Sequence, residues 1–151
     1  MAPGGGIIRR RWAAAGALPT MLSMTSARPT NVYIVDDSAP IRFRINEMLG
    51  RLPEVRVVGE SGTVPQAVVD ILSLRPDSVL LDLDLNGTSG MQVLEAIHRQ
   101  APEIAFVILS NHAELQYRRA CARAGASYFL DKTSEFHRVP AVIAEIASIR
   151  H

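Results

Sequence analysis

Four apolar runs in this chain each stop at residues that carry a carboxylate, a hydroxyl or an ammonium. The residues that follow the runs are Asp36-Asp37, Asp82, Ser110 and Asp131-Lys132. Runs that are apolar at nearly every position are typical of parallel strands buried on both faces. The carboxyl ends of such strands meet at one edge of a sheet, where ligands of open α/β folds bind. The runs therefore predict one edge whose side chains can bind a divalent cation and a phosphoryl group.

The apolar runs alternate with segments of helical periodicity. Strands are predicted at 31–36, 55–60, 78–82, 104–110 and 127–130. Helices are predicted at 39–51, 64–74, 90–100, 112–124 and about 138–149. Asp37 or Ser38 is expected to cap the first helix and Asn111 the fourth, and Pro140 fits the first turn of the fifth. This alternation indicates an α/β fold, a doubly wound five-stranded parallel sheet with helices on both faces.

Residues 1–30 differ from the rest of the chain, because they are rich in Gly and Ala and contain four arginines and no acid. One interpretation is a targeting segment, with a positive region before a weakly apolar stretch. The favoured interpretation is a start of translation assigned too early, with the true start at Met24 and a disordered leader that has no function. Residues 31–151 are then expected to form one domain, with no output domain after it.

The charge of the chain argues against some functions. Without the four leader arginines, 12 basic residues face 15 acidic ones, a net charge of −3. This gives no electrostatic case for direct nucleic-acid binding, and no apolar stretch approaches the ~20 residues that cross a bilayer. Lys132 is the only lysine among the 16 basic residues. A compact ammonium placed after the last apolar run suggests a specific role.

The residues at the run ends have both a chemical and an ordinary interpretation. Asp82 is a candidate nucleophile for an aspartyl-phosphate, although a solvated carboxylate at a strand end is also common. The adjacent Asp36 and Asp37 repel each other unless a cation such as Mg²⁺ neutralises them, but a solvated capping loop explains them as well. Ser110 can hydrogen-bond a phosphoryl oxygen, and Lys132 can offset its charge.

These residues, in this order on these strands, resemble the receiver domain of two-component response regulators, in particular stand-alone or LuxR-type receivers. The resemblance covers Asn31 to about Ile149 and includes four motifs, VYIVDDSAPIR at 32–42, RPDSVLLDLDLNGTSG at 75–90, ILSN at 108–111 and AGASYFLDK at 124–132. It implies the flavodoxin-like strand order 2-1-3-4-5. It also implies a cytoplasmic phosphorelay protein that is no enzyme beyond its own phosphorylation and dephosphorylation.

The resemblance further implies Mg²⁺-dependent transfer of a phosphoryl group from a sensor histidine kinase to Asp82. The implied metal ligands are Asp37 and Asp82, Asp36 through water, and the backbone carbonyl of Asp84, whose side chain is expected to face solvent. Ser110 and Lys132 would hold the phosphoryl oxygens. Ser110 and Phe129 would form a switch that changes the surface of the fourth helix, fifth strand and fifth helix. That surface would bind a downstream protein target or a second copy of the chain.

The chain departs from the family pattern at two positions. Asn86 stands where proline is usual, so a more mobile loop is expected. Thr133 replaces the proline after the lysine, where a cis peptide bond would now cost about 3 kcal/mol. We expect a turn at 133–136 instead.

Two alternatives to the receiver function have specific grounds. Asp82-Leu83-Asp84 also matches the Asp-x-Asp motif of haloacid-dehalogenase-like phosphohydrolases, in which the second carboxylate acts as acid and base. That motif normally opens its fold, whereas here it follows the third strand. The other alternative is a receiver-like fold that no longer accepts phosphate, and the complete set of acidic, hydroxyl and lysine residues argues against it.

Overall fold

The computed structural model describes residues 28–150, which form a five-stranded parallel sheet between two layers of helices. The strands are β1 (Thr30–Val35), β2 (Val55–Ser61), β3 (Ser78–Asp82), β4 (Ala105–Ser110) and β5 (Tyr128–Asp131). The helices are α1 (Ala39–Leu49), α2 (Val64–Leu74), α3 (Met91–Gln100), α4 (Leu115–Arg123) and α5 (Val139–Arg150). The spatial order β2-β1-β3-β4-β5 confirms the predicted order 2-1-3-4-5. Among the described helices, none is both long and apolar enough to span a membrane.

The strands are apolar at successive positions because each face of the sheet carries its own core. In β1, Tyr33 and Val35 pack into the core under α2, α3 and α4. The intervening Val32 and Ile34 pack into the core under α1 and α5. Full burial of side chains of this size stabilises the fold by roughly 1.5–3 kcal/mol each. Both faces of the central strands are therefore closed, and only their ends are available to a ligand.

The loop after β3 folds back as a short antiparallel hairpin, in which Asp84–Leu85 pairs with Thr88–Ser89. Its tip residues Asn86 and Gly87 have positive φ values of 53° and 83°. Such a tip suits Asn-Gly, and proline cannot adopt it because its ring fixes φ near −65°. The absence of proline at position 86 thus has a structural reason, because the tip of this tight hairpin requires a positive φ. The loop that was expected to be more mobile is held in this hairpin.

The ends of two helices differ in how well they match the sequence expectations. Ser38 caps α1 as expected, since its hydroxyl accepts a hydrogen bond from the N–H of Ile41. The predicted cap of the fourth helix by Asn111 is wrong, because α4 begins at Leu115 rather than at 112. The N–H of His112 instead donates to the hydroxyl of Ser110 at 3.0 Å, which keeps the chain out of the helix at that point.

The turn after β5 is formed by a carboxylate in place of the missing proline. Oδ1 of Asp131 accepts hydrogen bonds from the N–H groups of Thr133 and Ser134, at 2.9 and 3.3 Å. A short 3-10 helix (Phe136–Arg138) then leads into α5, whose second residue is Pro140. No cis peptide bond occurs in residues 28–150. The hydrogen bonds to Asp131 form the turn that was expected after the lysine.

The predicted leader overlaps the folded domain at its last residues. β1 begins at Thr30, and Arg28 donates two hydrogen bonds of 2.9 Å to the carboxylate of Asp77. This ion pair connects the chain before the first strand to the residue before β3, and the domain boundary after residue 30 stays a prediction. Residues 1–27, on which the rest of the leader prediction falls, lie outside the described residues.

Candidate functional site

Three carboxylates meet at the carboxyl edge of the sheet. Each of Asp36, Asp37 and Asp82 offers an oxygen that lies within 4.8 Å of those of the other two. β1 pairs with β3 in a register that sets Val35 opposite Leu81, so the two strands end at the same level. Asp36 and Asp82 are 1% and 5% exposed, and Asp37 is half-buried. The structure therefore joins the acidic residues of two sequence motifs into one group.

A backbone amide orients each of these carboxylates. Asp36 accepts a hydrogen bond from the N–H of Ser38 at 2.8 Å, and Asp82 accepts one from the N–H of Asp84 at 3.1 Å. Asp37 accepts one from the N–H of Asn86, at the tip of the hairpin, at 3.0 Å. Asp36 and Asp82 are thus each held by their own loop, whereas Asp37 is held by the hairpin after β3.

The ammonium of Lys132 lies between two of the carboxylates. Its Nζ donates to Oδ2 of Asp36 at 2.7 Å and to Oδ2 of Asp82 at 2.9 Å. Burial acts to lower the pKa of Lys132, but the two carboxylates outweigh it, and the pKa is raised. Burial also raises the pKa of Asp82, and the hydrogen bond from Lys132 works against this shift. The lysine therefore favours the ionised form of Asp82.

Ser110 lies at the end of β4, between the ends of β3 and β5. Its carbonyl accepts a hydrogen bond from the N–H of Lys132 at 2.9 Å, which connects the ends of the two strands. Its side chain is buried, and its hydroxyl accepts from His112. Ser110 also borders a cavity of about 370 Å³, whose other walls include Leu83, Asp84 and Tyr117. The side chain of Asp84 is exposed, as the sequence predicted.

Phe129 lies in β5, and the structure places it beside the site residues rather than among them. Its ring is half-buried, and the guanidinium carbon of Arg118 lies 4.8 Å from the ring centre. It packs against the core under α2, α3 and α4. A link between Phe129 and the carboxylates is therefore indirect and passes through the backbone of β5.

Two residues that the sequence did not single out support the acidic group. Nη1 of Arg42 donates to the backbone carbonyl of Asp36 at 2.5 Å, while Nε of the same residue pairs with Glu60 at 3.0 Å. Gly90 lies so close to the backbone carbonyl of Asp82 that a Cβ atom would overlap that oxygen. Neither role follows from spacing alone, although Arg42 comes five positions after Asp37, near the start of α1.

The donor set fits a hard divalent cation. Carboxylate and carbonyl oxygens are the ligands that Mg²⁺ prefers, and the clustered oxygens come from three residues. One ammonium against three carboxylates leaves excess negative charge, which a divalent cation would neutralise. The buried, preoriented carboxylates thus meet the requirements of such a site.

Comparisons with known sequences point in the same direction. A model of the response regulator receiver domain matches residues 32–144. A protein-glutamate methylesterase/protein-glutamine glutaminase of Gluconobacter oxydans is 37% identical over 114 residues, which are 74% of this chain and 32% of that protein. The DNA-binding transcriptional activator DevR/DosR of Mycobacterium tuberculosis is 31% identical over 101 residues, 67% of this chain and 46% of that one. The chain thus spans about a third to a half of the length of these relatives.

Solved structures of receiver domains have the same fold. The signal receiver domain of a NarL response regulator from Mycobacterium tuberculosis is similar with a TM-score of 0.73 and 26% identity, over 81% of this chain and 98% of that one. The response regulator domain of Thermotoga maritima CheB gives a TM-score of 0.71 and 26% identity, over 80% and 95%. The matched residues 32–144 include the whole acidic group, Ser110 and Lys132. The chain therefore belongs to the response regulator receiver domain family, the phosphoacceptor signalling modules of two-component systems.

Proposed function

We propose that the chain accepts a phosphoryl group on Asp82 from a phosphohistidine of a sensor histidine kinase, in the cytoplasm and with Mg²⁺ in the acidic site. The observation that carries this proposal is the contact of Lys132 with both Asp36 and Asp82, at the edge that also holds Ser110. Membership of the family supports a phosphoacceptor. The geometry supports Asp82 as the acceptor, since it is the carboxylate at the end of the central strand β3.

The transfer requires an ionised Asp82. A carboxylate oxygen of Asp82 forms a bond to phosphorus while the bond from phosphorus to the kinase imidazole nitrogen breaks. The electron pair of that bond returns to the imidazole, which takes up a proton. Lys132 favours the carboxylate form of Asp82 against the effect of burial, and the N–H of Asp84 fixes its orientation. Lys132 can then move its hydrogen bond from Asp82 to a phosphoryl oxygen.

The remaining site residues have supporting roles in this proposal. Asp37, Asp82 and the backbone carbonyl of Asp84 would hold Mg²⁺ directly, and Asp36 would hold it through water. A bound Mg²⁺ supplies positive charge that offsets the phosphoryl and carboxylate oxygens. The hydroxyl of Ser110, which accepts a hydrogen bond from the N–H of His112, would donate its own hydrogen to a phosphoryl oxygen.

The output of the reaction is a changed surface and not a released product. We propose that Ser110 and Phe129 pass the change to the surface of α4, β5 and α5. This surface carries exposed apolar side chains on α4, since Leu115 and Tyr117 are 59% and 39% exposed. A downstream protein, or a second copy of the chain, would bind there, with no direct contact to nucleic acid and none to a membrane.

Phosphorylation of Asp82 is tested with a small phosphodonor. The full chain is incubated with acetyl phosphate and Mg²⁺, and its intact mass is measured. We expect a single phosphate addition in the wild type and none in Asp82→Asn. Asp84→Asn is the matched control, because its side chain is exposed on the hairpin and it should keep the addition. A wild-type chain that gains no phosphate contradicts the proposal.

The same variants separate the receiver from a phosphohydrolase. A haloacid-dehalogenase-like enzyme would turn over a phosphate ester repeatedly, and Asp84→Asn would abolish that turnover. In the structure the Asp84 carboxylate makes a long contact of 3.5 Å to the N–H of Gly87, within its own hairpin. This exposed position suits a loop residue better than an acid-base catalyst.

A further inference from the structure

Arg118, on α4, is in contact with three separate segments of the chain. Its Nε donates to the carbonyl of Ala113 at 2.9 Å, in the loop that follows Ser110. Its guanidinium lies over the ring of Phe129 in β5. Its Nη2 lies 3.7 Å from Oε1 of Glu135, in the turn that follows Lys132. One side chain therefore joins the segments that follow both Ser110 and Lys132.

Glu135 extends this connection to the end of β5. Oε1 of Glu135 accepts a hydrogen bond from the N–H of Asp131 at 2.8 Å, and its Oε2 pairs with Arg138 at 2.7 Å. Asp131 directly precedes Lys132. A displacement of Arg118 would thus change the contacts of Glu135 with the backbone next to Lys132. We call the group of Arg118, Ala113, Phe129 and Glu135 the latch.

The latch holds the loop that follows Ser110 in one arrangement. The hydroxyl of Ser110 is bonded to the N–H of His112, in the same loop whose Ala113 carbonyl is bonded to Arg118. The cavity of about 370 Å³ lies on the side of Ser110 towards Leu83 and Asp84. Space for the loop to move into is therefore present, and the bond to Arg118 acts against that movement.

We propose that the latch opposes the switch. Arg118 stabilises the conformation that Ser110 and Phe129 have before Asp82 is phosphorylated. This inference rests on the proposed function, since the switch is meaningful only if Asp82 takes up a phosphoryl group. A contact that exists in only one of two conformations stabilises that conformation. It therefore lowers the apparent affinity of the protein for any ligand that binds the other conformation. Loss of the latch therefore strengthens binding of a phosphoryl group or its mimic.

The test measures the affinity of the full chain for beryllium fluoride, a non-transferable mimic of the phosphoryl group, in the presence of Mg²⁺. Binding is followed by the backbone NMR signals of Ser110 and Lys132. Arg118→Gln removes the charge and the contact over Phe129, whereas Arg118→Lys keeps a cation near the ring and loses the guanidinium fork. Arg119→Gln is the matched control, because Arg119 is the exposed neighbour on the same helix.

We expect Arg118→Gln to bind beryllium fluoride about 2- to 30-fold more tightly than the wild type, the range of coupling typical of residues that connect two sites. Arg118→Lys should fall between the two, and Arg119→Gln should match the wild type. Glu135→Gln provides a second variant should Arg118→Gln not fold. Its amide oxygen can still accept from Asp131 while the ion pair to Arg118 is lost, so a smaller gain in affinity is expected.

The outcomes separate this inference from the proposed function. If the wild type binds beryllium fluoride and Arg118→Gln or Glu135→Gln binds it no more tightly, the proposal of the latch is wrong and the proposed function stands. An arginine that only supports the fold would give this result, because its loss would leave the affinity unchanged or reduce it. A wild type that neither binds beryllium fluoride nor accepts phosphate overturns the proposed function, and the latch with it.

Discussion

The ammonium of Lys132 lies 2.9 Å from Oδ2 of Asp82, although 50 positions separate the two residues in the chain. β4 lies between the strands that end at these residues, so the lysine side chain reaches across one strand to make the contact. A lysine suits this position between Asp36 and Asp82 better than an arginine would. A compact ammonium can lie between two carboxylate oxygens, whereas a planar guanidinium needs a wider gap.

Replacement of the lysine should weaken the fold when no divalent cation is added. We expect Lys132→Met to lower the free energy of unfolding by about 1–3 kcal/mol, because two buried carboxylates lose their charged partner. Urea unfolding with a chelator present measures this loss. Lys132→Arg keeps the charge and should lose less. Superimposable unfolding curves of the wild type and Lys132→Met would show that the contact contributes nothing to stability.

Magnesium should stabilise the wild type through the acidic group. At a concentration 100 times its dissociation constant, a ligand of the native state adds about 2.7 kcal/mol. Asp37→Asn removes a carboxylate ligand and should weaken Mg²⁺ binding at least roughly tenfold, or about 1.4 kcal/mol. Asp84→Asn should bind as the wild type does, because its backbone carbonyl is retained. Thermal unfolding over a Mg²⁺ titration compares the three proteins, and an equal loss in both variants would contradict the assigned ligands.

The Arg28–Asp77 pair should make stability depend on pH at the acidic end. The hydrogen bonds from Arg28, together with the N–H of Asn31, hold the pKa of Asp77 below its ordinary value of 3.8. Because the folded-state pKa is the lower one, the stabilisation is complete above pH 3.8 and is lost as the pH falls through the folded-state value. Arg28→Gln should therefore unfold more easily than the wild type at pH 7, and the difference should shrink as the pH falls below 3.8.

A double-mutant cycle isolates this pair from other effects of acid. In an Asp77→Asn background, Arg28→Gln should change the free energy of unfolding very little at any pH. A difference between wild type and Arg28→Gln that stays constant from neutral to acidic pH would mean that Asp77 is not the titrating partner.

Gly90 should be needed for the position of Asp82. A Cβ atom at Gly90 would overlap the carbonyl oxygen of Asp82, so Gly90→Ala should destabilise the fold by about 1–3 kcal/mol and slow phosphorylation by acetyl phosphate. Gly87→Ala is the control, since φ is 83° there and no atom lies within 4 Å of the added Cβ. It should cost about 1–2 kcal/mol of backbone strain with the rate kept. Equal rates in the two variants would exclude the steric effect on Asp82.

The strands and their ends could be predicted because they depend on local chemistry. Strands buried on both faces have to be apolar at successive positions, as Val32 to Val35 are. Parallel strands in register bring their last residues to one level, which is why Asp36 and Asp82 meet. The resemblance to a family supplied the strand order, which periodicity alone leaves open. The roles of the site residues stay predictions until phosphorylation is measured.

The start of α4 could not be predicted, because it depends on contacts made across the fold. Ser110 and Asn111 are good capping residues by type, and the sequence gives no sign that the hydroxyl of Ser110 holds His112 outside the helix. The latch is equally hidden, since Arg118 and Glu135 are ordinary surface residues by composition. Arg118 and Glu135 come into contact because α4 packs against β5, and this packing cannot be inferred from the spacing of residues in the sequence.

Asp77 has a consequence for how this protein can be handled in experiments. Arg28 binds its carboxylate, and Arg150, the last residue of α5, donates to its backbone carbonyl at 2.9 Å. Both ends of the described chain thus meet just before β3, at the edge of the sheet opposite Asp82. A fluorescent protein or a surface-immobilisation tag joined directly before Arg28 or directly after Arg150 would leave the edge with Asp82 open to an approaching kinase.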